Sequence, residues 1–348
     1  MPEETSPRSS SRRPLLLAGL GLLLVLAVIV AVVLVRGAGD DAPTDPAPTT
    51  AAPTPPPFPE APVSATDRVT LTVPQEVRFA ENTFWARAGT TYLVTMDLTS
   101  TKPDGSGGRS MYLGVTLSCS PSAGGPGISE GGTQNMLTGE ETIYRNQGLV
   151  TVAEDGPVEC SIKANAPYDD VASKDTTFTV AGTWRAEAVG EHSAQAPTAD
   201  LPRTVAAGDE PVVLTEDLLL EGAAGADLSA LTSLHLTTCT GVNGSRENGR
   251  AWCSEDQIDE AGSTATVTVR ADLLDADGKV CAELGSTSTQ PDRIDRYRHH
   301  RLLSLELEPT LPADPCGDTV RVSTSVANEG PAPLVVHQLN STLVVVET

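Results

Sequence analysis

Positive charge is what this chain has least of. Its 348 residues carry four lysines and nineteen arginines against 46 acidic residues, for a formal net charge of −23. Beyond Arg36 the balance is 19 basic to 44 acidic residues, a net −25. A body of that sign repels nucleic acid and anionic lipid headgroups, so no nucleic-acid partner is expected. Aromatic residues are scarce too, at 3%, and uneven: nine of the twelve lie between residues 79 and 184, and only Trp252 and Tyr297 come later. The later part must build its core from Leu, Val and Ala.

Chemical signatures are also missing. The sequence has no G-x-S-x-G, H-E-x-x-H, G-x-x-x-x-G-K-[ST] or S-x-x-K, so the common nucleophile, zinc-protease and phosphate-loop chemistries find no support. No cysteine pair has the C-x-x-C spacing of zinc or redox motifs. Residues 254–260 and 272–279 are rich in carboxylates. Aligning Gly278 with the invariant glycine of an EF-hand, however, puts Leu273 and Leu284 where oxygen ligands are required. No metal, cofactor or catalytic residue is expected, and the chain reads as a non-enzyme.

One long hydrophobic run is present. Residues 14–35 carry no charge, and 22 residues of helix span roughly 33 Å, which matches a hydrocarbon core about 30 Å thick. A single transmembrane helix over 14–36 is expected, with the lipid bilayer as its partner. Arg8, Arg12 and Arg13 precede the run and Arg36 follows it, so the N-terminus is expected in the cytoplasm and the C-terminal body outside. A cleaved signal peptide has a shorter apolar stretch, about 7–15 residues, so the length favours a signal-anchor. Residues 1–13 read as a disordered cytoplasmic tail. Residues 37–62, with nine prolines from position 43 onward, read as a disordered extended spacer. Few lysines among abundant Ala, Asp, Gly and Pro suggest a high-GC bacterial source and hence a bacterial cell envelope.

The rest reads as β structure. Segments 69–73, 91–98, 112–119, 149–152, 178–188, 265–273 and 341–347 alternate or are rich in β-branched residues. Asp155-Gly156 and Asp277-Gly278 suit two-residue hairpins. The best helical candidate is short, over 227–234. A polar stretch over 190–203 divides the body into two expected domains, 63–190 and 203–348, each a disulfide-bearing, Ig-like β-sandwich. Six cysteines in an exported chain point to disulfides. Pairing within domains joins Cys119 to Cys160 and leaves three connectivities for the others. A spacing echo, 41 residues between Cys119 and Cys160 and 42 between Cys239 and Cys281, favours Cys239–Cys281 and Cys253–Cys316. Each loop of that length adds about 4 kcal/mol in the chain-entropy model.

The sharpest local anomaly is a basic run in acidic surroundings: Arg293, Arg296, Arg298, His299, His300 and Arg301, with Tyr297 among them. It suits an anion or partner patch, because arginine binds phosphate and carboxylate in a bidentate way. The alternative is charge compensation against nearby acids. The layout resembles single-pass envelope proteins in general, without a diagnostic motif. The expected function is that of a membrane-anchored extracytoplasmic binding or interaction protein, with a wall polymer or an envelope protein as partner. An envelope enzyme, an enzyme accessory subunit or a structural stalk are the alternatives, and a sandwich fold does not choose among them.

Overall fold

Alternation decides the architecture. In strand β4 (Ser110–Pro121), Met111, Leu113, Val115, Leu117 and Cys119 are buried while the residues between them face outward, the two-residue period of a sheet with one face on a core. The computed structural model describes residues 58–59, 62–104, 110–166, 175–220, 224–238 and 261–348, and the described chain is mainly strand. Pro56–Thr348 forms one compact unit. The expected transmembrane run, almost all of the expected spacer, Cys239 and Cys253 lie outside the described residues. Among those described, no helix is long and apolar enough to cross a membrane.

The first sandwich adds β1 (Val63–Thr72), β2 (Gln75–Ala86), β3 (Thr91–Thr101), β5 (Ile128–Leu137), β6 (Glu141–Thr151), β7 (Gly156–Ala166) and β8 (Thr177–Ala188). Antiparallel pairs join β1 to β8, β2 to β7, β3 to β6 and β4 to β5. This is the ladder of one long hairpin folded over on itself. It gives facing sheets ordered β1-β8-β3-β6 and β2-β7-β4-β5, a jelly roll. The expected Ig-like arrangement, four strands on three in ABED and CFG order, is corrected. Alternation marks a half-buried strand but does not name its neighbour.

The second sandwich repeats this wiring with interruptions. Its strands are β9 (Ser193–Gln195), β10 (Arg203–Val205), β11 (Val212–Leu219), β12 (Leu228–Thr238), β13 (Ser263–Leu274), β14 (Val280–Ser288), β15 (Asp292–Ile294), β16 (His300–Leu307), β17 (Thr319–Asn328), β18 (Leu334–Val336) and β19 (Thr342–Glu347). One sheet is ordered β11-β17-β13-β14. In the other, β16 takes one edge of β12, while β18 and β19 pair successive parts of its opposite edge as one broken strand. The first core holds Phe79, Phe84, Tyr144 and Trp184; the second is aliphatic, built on residues such as Leu234, Val267, Val322 and Leu343.

Several local expectations change. The helical candidate at 227–234 is β12, whose leucines at 228, 231 and 234 imitate a helical period because both faces of the strand are covered. Asp155-Gly156 links β6 to β7, which lie in different sheets, so it is a crossover and not a hairpin. Asp277-Gly278 does lie in the β13–β14 hairpin, but the loop is longer than two residues: 275–279 join the strands, with Gly278 at φ +75° and the Asp275 N–H donating to the Lys279 carbonyl at 2.8 Å. The Cys119–Cys160 bridge joins directly opposed residues of β4 and β7. Cys281 bonds to Cys316, which corrects both expected bridges of the later part. Leu274 of β13 pairs with Val280 of β14 and Thr319 of β17, so Cys281 and Cys316 flank the same strand end. The spacing echo had set β4 against β12, whereas the shared wiring sets β4 against β13.

The sandwiches meet where β5 and β6 cover the outward face of β12, β16 and β19. Leu93, Leu149 and Val189 pack there against Leu231, Val344 and Val346. Leu302 of β16 reaches into the first core. Gly132 of β5 makes room for it, since a Cβ there would lie 2.6 Å from Leu302 Cδ2. Around these contacts runs a buried polar seam. The Gln147 amide donates to Thr342 Oγ1 at 2.8 Å and to the Leu231 carbonyl at 3.1 Å. Thr342 Oγ1 donates to Asn146 Oδ1 at 2.9 Å, and Ser233 and Ser304 hydroxyls both donate to the Arg145 carbonyl at 2.9 Å. If the sandwiches parted, water would replace these bonds, so each adds only about 0.5–1.5 kcal/mol net. The apolar contacts supply most of the adhesion, and the seam fixes the register.

Leu302→Ala is expected to cost about 2–5 kcal/mol, and Gly132→Val about 1–3 kcal/mol by expelling Leu302. Denaturant unfolding followed separately by Trp184 fluorescence and by circular dichroism checks this. Destabilisation of the first sandwich by a substitution in the second is the diagnostic result.

Candidate functional site

Four of the five histidines in the chain gather at one end of this junction. The period of β12 turns Ser229, Leu231, Ser233, His235 and Thr237 toward the first sandwich. Its register with β16 sets Thr237 opposite His300 and His235 opposite Leu302, so the two imidazoles become diagonal neighbours. His337 follows β18, and its N–H donates to the His235 carbonyl at 2.9 Å.

The rings form a packed set. His235 Nε2 lies 3.0 Å from His300 Nδ1. His337 stacks on His235 with centroids 4.4 Å apart, and His299 meets His300 edge-on at 4.7 Å. His337 Nε2 is 2.8 Å from Thr237 Oγ1. The buried Nδ1 of His299 has no hydrogen-bond partner among the described residues. Burial pushes all four rings toward the neutral form: His299 and His337 fall to about 4, and His235 and His300 lie well below the usual histidine value, with neighbouring rings adding to the effect for His235, His300 and His337. The cause is the loss of water around an imidazolium.

Three of the rings, His235, His300 and His337, open on a cleft of about 460 Å³ between the sandwiches. Tyr112, Thr133, Lys163 and Asn165 face His235, His300, His337 and Asn340 across it, and Gly114 also lines it. Among the described residues, no Asp or Glu lines the cleft. Lys163 is met by Glu76 at 3.5 Å. Among the described residues, no three His, Cys, Asp or Glu are placed to hold a metal ion.

A larger depression, about 900 Å³, lies elsewhere on the junction. Many of its charges are already matched: Asp97 with Arg145 at 2.7 Å, Arg185 with Glu187 at 2.6 Å, and Glu347 with His192 at 2.8 Å. The histidine cleft, with polar groups that are neutral and convergent, is the better candidate site.

The basic run is largely built into the fold. Arg298 pairs with Glu140 of the first sandwich at 2.7 Å. Arg301 pairs with Asp292 at 2.5 Å and donates to Gln134 Oε1 of β5 at 3.1 Å. Arg293 lies 3.4 Å from Asp295, and Arg296 is exposed on the turn. The His300 N–H donates to Asn135 Oδ1 at 2.6 Å. Arg298, His300 and Arg301 thus tie β16 and the turn before it to the first sandwich, while His299 and His300 also belong to the imidazole set. Sequence reasoning singled out this segment but missed His235, His337, Tyr112 and Asn165, which are distant along the chain and meet only through strand register.

No family model matches the chain, and no curated protein matches it. Among solved structures it is similar to a peptide-N(4)-(N-acetyl-beta-D-glucosaminyl) asparagine amidase, at 12% identity over 83% of this chain and 96% of that one, with a TM-score of 0.37. A recombinant N-glycanase, PNGase F, matches at 11% identity over 82% and 96%, with a TM-score of 0.34. The N-terminal CBM22-1-CBM22-2 tandem domain from Paenibacillus barcinonensis Xyn10C matches at 8% over 76% and 82%, with a TM-score of 0.21. Likenesses at this level assign no function to this chain. They do correct the expectation that it is a non-enzyme: two of the proteins it matches along most of their length are enzymes, so the absence of familiar motifs does not exclude catalysis.

The buried rings make stability depend on pH. A histidine at about 4 in the folded chain and near 6.5 when unfolded contributes stability that is complete above 6.5 and lost as pH falls toward 4. Glu130, raised by burial to about 7, acts oppositely: its share is complete below about 4.5 and is lost as pH rises to 7. Melting temperature is expected to drop between pH 6.5 and 4, less steeply in His337→Gln. Glu130→Gln should raise the melting temperature at pH 8 and leave it unchanged at pH 4.5. Differential scanning calorimetry across that range is the measurement, and parallel profiles for all three proteins would contradict this account.

Proposed function

We propose that the chain is a single-pass, membrane-anchored extracytoplasmic binding protein of a bacterial cell envelope, which docks a wall polymer or an envelope protein in the junction cleft. Residues 14–36 cross the bilayer with the N-terminus inside. Residues 37–62 extend at about 3.1 Å per residue and carry two β-sandwich domains away from the lipid. The observation behind this reading is the cleft itself, walled by both sandwiches and lined by hydrogen-bonding groups that the fold holds in fixed register. Preorganised groups bind without first losing conformational entropy. The basic run supports the cleft from behind through Arg301 and His300.

Gly114 offers the test. A Cβ there would meet Tyr112, the Asn165 carbonyl and Thr133 at 3.7–3.9 Å, ordinary contact distances, so Gly114→Gln fills the cleft without distorting the strand. The full-length chain, in a detergent without a sugar headgroup, is expected to be retained on isolated envelope polymer or to recover a partner from solubilised envelope. The Gly114→Gln chain should lose at least about tenfold of that retention. Equal retention of both proteins removes the cleft from the proposal, and no retention of either removes the binding function.

A further inference from the structure

We infer that the junction cleft takes an uncharged, polyhydroxylated chain, a neutral glycan segment. This names the ligand class for the docking site proposed above and rests on that reading. The argument starts from the hydrogen-bonding capacity of the lining. A neutral imidazole presents one donor and one acceptor, an Asn amide presents both, and Thr and Tyr hydroxyls present both. Asn165, Asn340 and Thr133 have this two-way character, while His300 and His337 each have one ring nitrogen already engaged, by His235 and by Thr237. A sugar hydroxyl both donates and accepts, so it can meet either kind of group. At about 460 Å³ the cleft lies within the usual range for ligand sites, about 300–1,000 Å³.

Charged ligands fit less well. A cation would need acceptor-only groups, and among the described residues no carboxylate lines the cleft. An anion would need fixed positive charge. The one cation among the described lining residues, Lys163, faces Glu76 of β2. Next to the rings, Arg301 is neutralised by Asp292 and Arg298 by Glu140. Tyr112 meets His300 through its ring at 5.2 Å, and His299 is itself neutral and buried. An anion would therefore have to charge imidazoles that burial and their neighbours keep neutral, inside a body of net charge −25. An uncharged ligand asks for no such change.

The pH profile separates the two classes. Rings that stay neutral down to about 4 give glycan binding that is flat from pH 5.5 to 8, with no proton taken up. An anion that draws a proton onto an imidazole would bind up to tenfold more tightly per pH unit toward acid. The experiment is isothermal titration calorimetry on the full-length chain in a detergent without a sugar headgroup. The probes are the neutral hexasaccharides of glucose, mannose and N-acetylglucosamine, with hexagalacturonate as the anionic arm, each in two buffers of different ionisation enthalpy. The expected result is that at least one neutral hexasaccharide binds, at least about tenfold more tightly than hexagalacturonate, with a pH-independent affinity. Gly114→Gln should abolish it.

The inference is overturned if no neutral probe binds, if hexagalacturonate binds as tightly, if affinity rises toward pH 5.5, or if Gly114→Gln binds normally. Retention on envelope polymer that Gly114→Gln removes, with all neutral probes silent, sinks the glycan class and leaves the docking site standing. Loss of both sinks the two together.

Discussion

Strand β12 is buried on both faces for most of its length. Leu228, Ala230, Leu234 and Leu236 pack into the aliphatic core, and the odd-numbered residues turn to the other sandwich, where Leu231 meets Leu93, Leu149 and Val189 and Ser233 meets β6. A sheet face carrying Ser229, Ser233, His235 and Thr237 would normally be the solvated side of an antiparallel layer. Covering it makes each hydroxyl and imidazole a buried polar group that needs a partner. Asn146 and Gln147 of β6 exist in that setting as partners, and Gly132 of β5 as clearance. The relative placement of the two jelly rolls, and with it the site, follows from that single buried face.

The scarce positive charge is deployed in the same spirit. Arg321 grips Asp217 across β11 and β17 with two bonds of 2.7 Å, Arg270 reaches both Asp272 and Glu283, and Arg298 and Arg301 work at the junction. Exposed pairs of this kind contribute little stability, about 0.2–1 kcal/mol each. Their larger effect is to leave few cations for ligands. In a strongly acidic body, a site whose described lining holds no carboxylate is electrically quiet, and hydrogen-bond geometry is what it has to offer.

The strands at 91–98, 112–119, 178–188 and 265–273 were legible because each has one wet face, which leaves an alternating record in the sequence. The aliphatic second core was legible from the poverty of aromatics after Trp184. What could not be read was pairing: a jelly roll and an Ig sandwich are both written in half-buried strands, and Cys281 with Cys316 is decided by which strands flank β13. β12 was misread because burial on both faces erases alternation, and β5, with the sequence ISEGGTQNML, was missed because its buried residues are polar. The site fell into the same gap. His299 and His300 drew attention as neighbours, but their meaning depends on His235 and His337, 64 or more and 37 or more positions away, which only the register brings near.

A strand interruption keeps the cleft open. β18 and β19 would run on as one strand along β12, but residues 337–341 leave the ladder toward the first sandwich, turning at Asn340 with φ +69°. Asparagine tolerates that left-handed conformation where a β-branched residue would not. The ladder bonds lost there are replaced locally: the His235 N–H donates to Ser341 Oγ at 3.1 Å, and the His235 carbonyl accepts from the His337 N–H. The detour costs little hydrogen bonding, and it places His337 and Asn340 as walls where a regular strand would have passed beneath. His235 therefore sits at the break, with its backbone satisfied by the detour and its ring facing the space the detour creates. An uninterrupted strand would have satisfied the same backbone and left the second sandwich with a flat face at this end, so the break is the step by which two joined sandwiches acquire a site.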